Sequence, residues 1–284
     1  MLYSVVLKLR AEEDAALSPT QGYHGYALFL SLLDSVAPDL AREVHSAEKA
    51  KSVTASPIWS KSLRGRGEEM KVSKGTECWL RFTLLEDKVF AGFLHSLLSG
   101  EKIKEMQLES VTFSLVEVAT EPNSSPWARF DTFHSLWDKA TPQKRITLQF
   151  LSPTAFRSRS RNIIFPEPER VFGSYLSKWN SYSPLSFDDS LRSEIFPHIL
   201  ATRYRLQSRI LDFKTYKEVG FEGECAFEIK EDVPEETLRQ VNALADFAFY
   251  AGTGAKTTMG MGQTRRLGDA RSLSRRARGN PAQG

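Results

Sequence analysis

The chain has 284 residues, of which 41% are hydrophobic and 26% are charged, and its formal net charge is +3. This length favours two domains over one, because a domain usually holds roughly 100 to 200 residues. The segment 269–284 has four arginines and one aspartate, so it accounts for the whole net charge. The body of the chain is therefore neutral, and any nucleic-acid site must depend on local groups of basic residues.

Cysteine usage and hydropathy exclude several classes of protein. Cys78 and Cys225 lie far apart in apolar runs, which predicts buried thiols in a reducing compartment. No histidines pair at the spacing of metal ligands, so we expect neither a metal site nor a cofactor. No apolar run reaches the roughly 20 residues that a membrane span needs, and the first residues lack the pattern of a cleaved leader. The sequence therefore predicts a cytoplasmic protein that has no membrane partner.

The first part of the chain predicts the element order βαββαβ. Alternating apolar residues indicate strands, and apolar residues three to four positions apart indicate helices. The predicted elements are a strand at 2–9, a helix at 23–36, strands at 53–59 and 77–85, a helix at 88–98 and a strand at 109–118.

The same order recurs in the second part of the chain. Its predicted elements are a strand at 145–151, a helix at 168–179, strands at 198–211 and 219–229, a helix at 234–251 and a strand at 261–267. We therefore predict an α+β fold of two tandem ferredoxin-like domains, similar in topology to the RNA-recognition module. The expected domains are 1–120 and 141–268, with a linker at 121–140 and a basic disordered tail at 269–284.

The segment 252–262, which reads GTGAKTTMGMG, predicts close contact with an anion. Glycine allows positive φ and lets peptide N–H groups point into a concavity, and lysine adds a positive charge. The spacing matches neither a Walker loop nor a dinucleotide-binding loop, which makes a nucleotide-binding enzyme a remote alternative. The expected phosphate contacts are Gly252, Gly254, Lys256, Thr257, Thr258, Gly260 and Gly262.

Two basic stretches could extend such a site. Arg157, Arg159 and Arg161 alternate with serines, and Lys144 to Arg161 contains no acidic residue. A second stretch contains Arg64 and Arg66. The serines between Arg157, Arg159 and Arg161 leave these three guanidinium groups free to contact phosphates, although a solvated loop would have the same composition.

Three runs of residues together resemble a known family. They are AFYAGTGAKTTMGMG at 248–262, LQFLSPTAFR at 148–157 and FPEPERVF at 165–172. They resemble the second half, including the carboxy-terminal glycine-rich motif, of the CRISPR-associated protein six endoribonucleases. The resemblance is looser over the first half and extends to about residue 267. It implies that the partner is CRISPR repeat RNA and that the protein cuts precursor transcripts within each repeat.

The resemblance also implies a mechanism and its residues. Family members generally cut without metal, as the ribose 2′-hydroxyl attacks the neighbouring phosphate and leaves a cyclic phosphate and a free 5′-hydroxyl. The positions that match the family's histidine and lysine are His45 and Lys51. His45 is expected to be the general acid for the leaving oxygen, or the base, and Lys51 is expected to stabilise charge. Lys49 is an alternative source of that charge.

Other assignments stay open at this level. Tyr26 and His24 are the candidates for a second proton carrier, but they match the family's pattern less well, and packing of the helix entrance is an equal alternative. A histidine at a helix end also commonly interacts with the helix dipole alone. The alternative function is a non-catalytic RNA-binding subunit of a CRISPR effector complex. Whether the chain forms a homodimer is also open.

Overall fold

The computed structural model describes residues 1–18, 20–47, 50–60, 70–99, 105–159, 161–213, 215–230 and 232–268. They form two halves, each with helices packed on one face of an antiparallel sheet. The elements of the first half are β1 (Leu2–Ala11), β2 (Ala15–Leu17), α1 (Gly22–Asp34), α2 (Pro38–Ser46), β3 (Val53–Ala55), β4 (Met70–Val72), β5 (Glu77–Leu84), α3 (Asp87–Leu98), β6 (Glu105–Leu108) and β7 (Val111–Ala119).

The first sheet has the strand order β3-β5-β1-β7-β6, and β2 and β4 pair separately. The four strands β3, β5, β1 and β7 lie in the order of a ferredoxin-like fold. In that fold the first and third strands in chain order, here β1 and β5, are central. Val5, Leu7 and Leu9 of β1 are buried on the face that packs against the helices, and Ser4 and Val6 on the other face are buried as well. On the face toward the helices, the ring of Phe29 on α1 lies 4.8 Å from that of Phe93 on α3. Within the described residues, the helices of this half do not pack on the opposite face of the sheet, which we call the open face.

The second half repeats this plan. After β8 (Arg129–Asp131), which belongs to the first sheet, the elements are α4 (Phe133–Lys139), β9 (Arg145–Thr154), β10 (Phe156–Ser158), β11 (Arg161–Ile163), α5 (Pro168–Tyr182), α6 (Leu191–Glu194), a 3-10 turn (Phe196–His198), β12 (Ile199–Asp212), β13 (Lys217–Ile229), α7 (Glu235–Ala251) and β14 (Thr264–Leu267). The sheet order β12-β13-β9-β14 matches that of the first half, while β10 and β11 form a separate hairpin. The predicted pair of ferredoxin-like units in an α+β fold is therefore confirmed.

The structure corrects several predicted boundaries. The strand predicted at 53–59 ends at Ala55, because Pro57 has no N–H to donate to the ladder, and Trp59 makes only an isolated bridge to Trp79. The strand predicted at 109–118 is preceded by β6, and Glu109 has a positive φ of 57° in the turn between β6 and β7. Within the expected linker at 121–140, the sequence also predicts a short helix at 131–138, and α4 lies there; it does not predict the strand β8, which pairs with β1.

A buried arginine joins the two halves. The side chain of Arg81 on β5 is 1% exposed and reaches the second half from the open face. Its Nη2 donates to the carbonyl of Phe249 at 2.6 Å, and its Nη1 donates to Oε1 of Gln263 at 2.8 Å. The hydroxyl of Thr83 donates to the carbonyl of Tyr250 at 2.6 Å. These contacts fix the end of α7, and the segment that follows it, against the first sheet.

No helix in the described part of the chain combines the length and the apolar character that crossing a membrane requires.

Candidate functional site

The end of α2 brings together the two residues with predicted catalytic roles. His45 lies in the last turn of α2, and its side chain is exposed. The chain then reverses, and the Lys51 ammonium donates to the carbonyl oxygens of Val44, at 3.2 Å, and of His45. The last carbonyls of a helix carry partial negative charge and attract a cation. An exposed imidazole and an ammonium thus share one helix end.

Lys51 is partly buried at this position. Desolvation disfavours the charged form of an amine, and it lowers the pKa of Lys51. The second half supports the same turn, because the Tyr182 hydroxyl on α5 donates to the carbonyl of Ala50 at 2.5 Å. The position of Lys51 therefore depends both on α2 and on packing between the halves.

Tyr26 points into the core of the first half. Its side chain is 8% exposed, and its ring stacks with that of Phe29. The hydroxyl lies 3.5 Å from the carbonyl of Val44, the same oxygen that accepts from Lys51. Burial raises the pKa of Tyr26 to about 12. This hydroxyl thus contacts the helix end that carries His45, but it lies beneath the surface.

His24 lies on a different surface from Tyr26. Residues two positions apart on a helix are rotated by about 200° around its axis, so the side chains of His24 and Tyr26 point in nearly opposite directions. His24 lines a cleft of about 340 Å³ between the halves, together with Tyr23, Tyr216 and Met259. The structure therefore groups Tyr26 with His45 and Lys51, whereas His24 lies beside the glycine segment.

The backbone of the segment 252–262, which we call the glycine segment, requires its glycines. Gly252, Gly254, Gly260 and Gly262 all have positive φ values, between 63° and 85°. A Cβ at Gly262 would lie 2.1 Å from the carbonyl oxygen of Thr253, and the Cβ positions at the other three would also be crowded. The segment thus folds back on itself more tightly than other residues would allow.

The glycine segment contacts both halves of the protein. The amide of Ala55 at the end of β3 donates to the carbonyl of Thr257 at 3.0 Å. Gly22 at the start of α1 touches Gly260 so closely that a Cβ on Gly22 would lie 2.1 Å from the Gly260 nitrogen. On the second half, the amide of Ala255 donates to the carbonyl of Ala155 at 2.9 Å. The segment is therefore a joint between the halves.

The threonines of the segment face inward. Thr257 and Thr258 are 6% and 9% exposed, so their predicted RNA contacts fall on almost fully buried residues. The Lys178 ammonium on α5 donates to Oγ1 of Thr257 at 3.1 Å and to the carbonyl of Ala251 at 2.5 Å. Sequence reasoning did not identify Lys178, which lies more than seventy positions before both partners. The more exposed part of the segment contains Gly254, the neighbouring residues 255–256 and Met259.

The ammonium of Lys256 is paired with a carboxylate of the same protein. It donates to Oε1 of Glu218 on β13 at 2.5 Å and lies 4.0 Å from the ring centre of Tyr216. The Glu218 carboxylate is nearly buried, and Nη1 of Arg157 lies 3.8 Å from the same oxygen. The glycine segment and the β10–β11 hairpin thus share one anionic partner.

The three arginines around the β10–β11 turn differ in their surroundings. Arg157 donates to Oδ1 of Asn162 at 3.0 Å. Arg159 has a positive φ of 52° in the turn, and Arg161 begins β11 with an exposed side chain. The hairpin thus presents these three arginines on one short, solvent-facing unit.

A groove beside this hairpin adds two basic residues that sequence reasoning missed. It has a volume of about 600 Å³ and lies between the hairpin, the glycine segment and α5, with Arg157, Arg170, Arg192 and Gly254 in its lining. Arg170 and Arg192 have acidic neighbours in the sequence, Glu167 and Asp189, with which they pair, so they do not form a basic run. Tertiary structure places them beside Arg157.

Some predicted residues lie outside the described part of the chain. These are Arg64, Arg66, the alternative charge Lys49 and the tail at 269–284. Within the described ranges, no three histidine, cysteine or acidic residues are grouped closely enough to hold a metal ion. The described part of the predicted site therefore consists of the α2 end, the glycine segment and the arginine hairpin.

Comparison with known proteins identifies relatives of both halves. The family model "CRISPR Cas6 N-terminal domain" matches residues 1–138, and the model "CRISPR-associated endoribonuclease Cas6" matches residues 148–264. The chain is 27% identical over 181 residues to the CRISPR-associated endoribonuclease Cas6 of Streptococcus thermophilus. That match covers 62% of this chain and 68% of the relative.

Solved structures resemble the whole fold. Thermus thermophilus Cas6 has a TM-score of 0.71 and 29% identity, and the match covers 94% of this chain and 98% of that one. The product complex of the same protein has a TM-score of 0.80 and 28% identity, with 94% and 100% of the two chains covered. The family models and the structural relatives thus agree across both ferredoxin-like halves, and the chain belongs to the Cas6 family of CRISPR-associated endoribonucleases.

Proposed function

We propose that this protein cuts precursor CRISPR transcripts within their repeats and so produces crRNA. Its relatives are named CRISPR-associated endoribonucleases, and one solved relative is a product complex. The observation that carries the proposal is that the end of α2 holds both the exposed His45 side chain and the Lys51 ammonium, which donates to the backbone carbonyl of His45. Cleavage of RNA by its own 2′-hydroxyl requires a base, an acid and positive charge at the phosphate, and these two side chains can supply the acid and the positive charge.

The proposed reaction is a transesterification. The ribose 2′-oxygen forms a bond to the neighbouring phosphorus while the bond from phosphorus to the 5′-oxygen breaks. The 2′-hydroxyl proton passes to a base, and the His45 imidazolium gives a proton to the leaving 5′-oxygen. Lys51 stabilises the negative charge on the phosphate oxygens as it develops. The products are a 2′,3′-cyclic phosphate and a 5′-hydroxyl, and the proton transfers do not require a metal ion.

RNA binding is assigned to the second half and the joint. Peptide groups at the exposed turn of the glycine segment, near Gly254, approach the RNA backbone. The hairpin arginines, together with Arg170 and Arg192 of the neighbouring groove, neutralise phosphates. Each neutralised phosphate adds to the salt dependence of binding, so affinity falls steeply as salt rises.

The deciding experiment is single-turnover cleavage of the repeat from the neighbouring CRISPR array, with EDTA present. Wild-type protein is expected to cut at one position and leave a cyclic phosphate. His45→Ala is expected to cut about 10²- to 10⁴-fold more slowly, the usual contribution of a general acid or base, while RNA affinity is retained. Lys51→Ala is expected to lower the rate without moving the cut. His95→Ala is the matched control, because His95 is also exposed in the last turn of a helix.

The other outcomes discriminate between functions. Tight binding without cleavage by the wild type would favour a non-catalytic RNA-binding subunit of an effector complex. Cleavage that stops in EDTA and returns with Mg²⁺ would overturn the metal-independent mechanism. Equal loss of activity in His45→Ala and His95→Ala would remove the assignment of His45.

A further inference from the structure

Three of the five tryptophans lie together on the open face of the first sheet. Trp79 is on the central strand β5, Trp59 bridges to it, and Trp127 comes from the segment between β7 and β8. Their ring centres are 4.3 to 6.1 Å apart. The cluster therefore joins three segments that are far apart in the sequence, and it uses the face on which the described helices of its own half do not pack.

A cleft of about 780 Å³ opens beside this cluster. Its floor is formed by residues of neighbouring strands, because Trp79 pairs in register with Lys8 of β1, and Lys8 pairs with Glu117 of β7. Pro126 and Trp127 form a wall. The volume is within the range of small-ligand sites, which is about 300 to 1,000 Å³.

These three indoles differ from that of Trp179, which packs in the core of the second half. Trp179 is fully buried, and its indole N–H donates to the carbonyl of Leu185 at 2.6 Å. Trp59, Trp79 and Trp127 are each partly exposed. Within the described residues, none of the three indole N–H groups has a hydrogen-bond acceptor. The ring of Trp127 is stacked with that of Phe249 on α7, at 6.0 Å between ring centres, and lies under the guanidinium of Arg265. The exposed part of the Trp79 indole and the indole donors are therefore what the cluster offers to a ligand.

Polar groups at the floor of the cleft can bind the edge of a base. The Lys8 ammonium contacts Oε2 of Glu117 at 2.7 Å, which leaves it further N–H donors and leaves the carboxylate further lone pairs. A donor beside an acceptor matches the edge of a nucleobase, which carries both. The guanidinium of Arg265 lies 4.9 Å from the ring centre of Trp127 and adds positive charge beside the indoles.

We propose that the tryptophan cleft binds unpaired nucleobases of the RNA, with stacking on Trp79, contact with the wall formed by Trp127, and edge contacts to Lys8 and Glu117. RNA-recognition modules stack two or three bases on aromatic residues of the central strands, and Trp79 occupies such a strand on the same face. Aromatic stacking accepts any base, so the cleft contributes affinity for single-stranded RNA with little dependence on sequence.

The cleft is separate from the proposed cutting site. Its residues lie on the open face of the first sheet, whereas His45 and Lys51 lie at the end of α2 on the side of the helices. The inference rests on the proposed function for the nature of the ligand, which is RNA. The two proposals can fail separately, because one predicts cleavage and the other predicts contact with three tryptophans.

The test uses the full chain carrying His45→Ala and an octauridylate that contains 5-iodouridine. Irradiation of the complex is expected to crosslink the RNA to peptides that contain Trp59, Trp79 or Trp127, as identified by mass spectrometry. RNA is also expected to quench tryptophan fluorescence in a saturable manner. Trp79→Leu is expected to weaken octauridylate binding about tenfold, within the range for loss of one stacked base. Trp137→Leu, at a tryptophan outside the cleft, is expected to bind as tightly as the parent.

Cleavage kinetics provide an independent readout. In a chain that retains His45, Trp79→Leu should raise the repeat concentration needed for half-maximal rate and leave the rate at saturation unchanged. The crosslink needs no substitution in the cleft, so it decides the matter even where Trp79→Leu fails to fold. Absence of crosslinks to all three tryptophans, or saturating RNA that leaves their fluorescence unchanged, would overturn the proposal. Loss of cleavage alone would bear only on the proposed catalytic site.

Discussion

Replacing Gly22 by alanine tests the contact between α1 and the glycine segment. The added Cβ would lie 2.1 Å from the nitrogen of Gly260 and 2.3 Å from the carbonyl carbon of Met259. Nonbonded carbon atoms prefer separations of about 3.5 to 4.0 Å, so these atoms would have to move by more than about 1 Å. They belong to the backbone of a segment held by several hydrogen bonds, and no flexible side chain can rotate away to relieve the overlap.

The expected loss in free energy of unfolding follows from the kind of clash. Overpacking a well-filled site typically costs about 1 to 3 kcal/mol, and a clash of backbone with backbone belongs at the upper end. Gly25, one turn later in α1, is the matched control, because its added Cβ would lie 3.5 Å from Cδ2 of Leu80, an ordinary contact. Gly25→Ala should be neutral or stabilise the protein by up to about 1 kcal/mol, since alanine favours a helix interior. The same chemical change should thus have opposite effects at the two positions.

Reversible urea denaturation, followed by circular dichroism at 25 °C, measures both free energies of unfolding. Gly22→Ala should also bind repeat RNA more weakly than Gly25→Ala, because displacing Gly260 moves the glycine segment as a unit. If the two variants unfold at the same urea concentration, α1 and the glycine segment are not in close contact in solution. The reasoning that makes this segment a joint between the halves would then be refuted.

Three further substitutions probe residues around the site. Tyr26→Phe should cleave at close to the wild-type rate in single-turnover assays, because its hydroxyl is buried; a loss of about a hundredfold would identify a proton carrier instead. Glu218→Gln should tighten RNA binding and steepen its salt dependence in filter-binding titrations, because it removes the charge that pairs with Lys256; unchanged binding would show that Lys256 does not reach RNA. Burial lowers the pKa of Lys178 from 10.5 to about 8. Between these pH values the unfolded chain binds more protons, so the contribution of Lys178 to stability rises with pH. The loss in free energy of unfolding caused by Lys178→Met should therefore grow between pH 8 and pH 10.5 in a series of denaturation experiments. A loss that stays constant over this pH range would contradict the lowered pKa of Lys178.

Much of the fold follows from the sequence because its signals are local. The apolar residues of β1 and the helical spacing of apolar residues in α1 each arise within one element, and the same element order appears twice. The predicted ends of strands are less accurate where a single residue stops the ladder of hydrogen bonds, as Pro57 does after β3. The prediction of His45 and Lys51 depended on the resemblance to a known family. Only the fold shows that the Lys51 side chain contacts the end of α2.

By itself, the sequence determined the order of the main elements and the need for glycine between α7 and β14. The tertiary structure decided which charges are paired and which surfaces are open. Lys256 meets Glu218 across 38 positions, Arg81 meets Gln263 across 182, and the three tryptophans come from three separate segments. Such contacts depend on strand register and on the packing of one half against the other. No pattern within a short stretch of sequence records them, because the free energy that forms them comes from burial between distant segments.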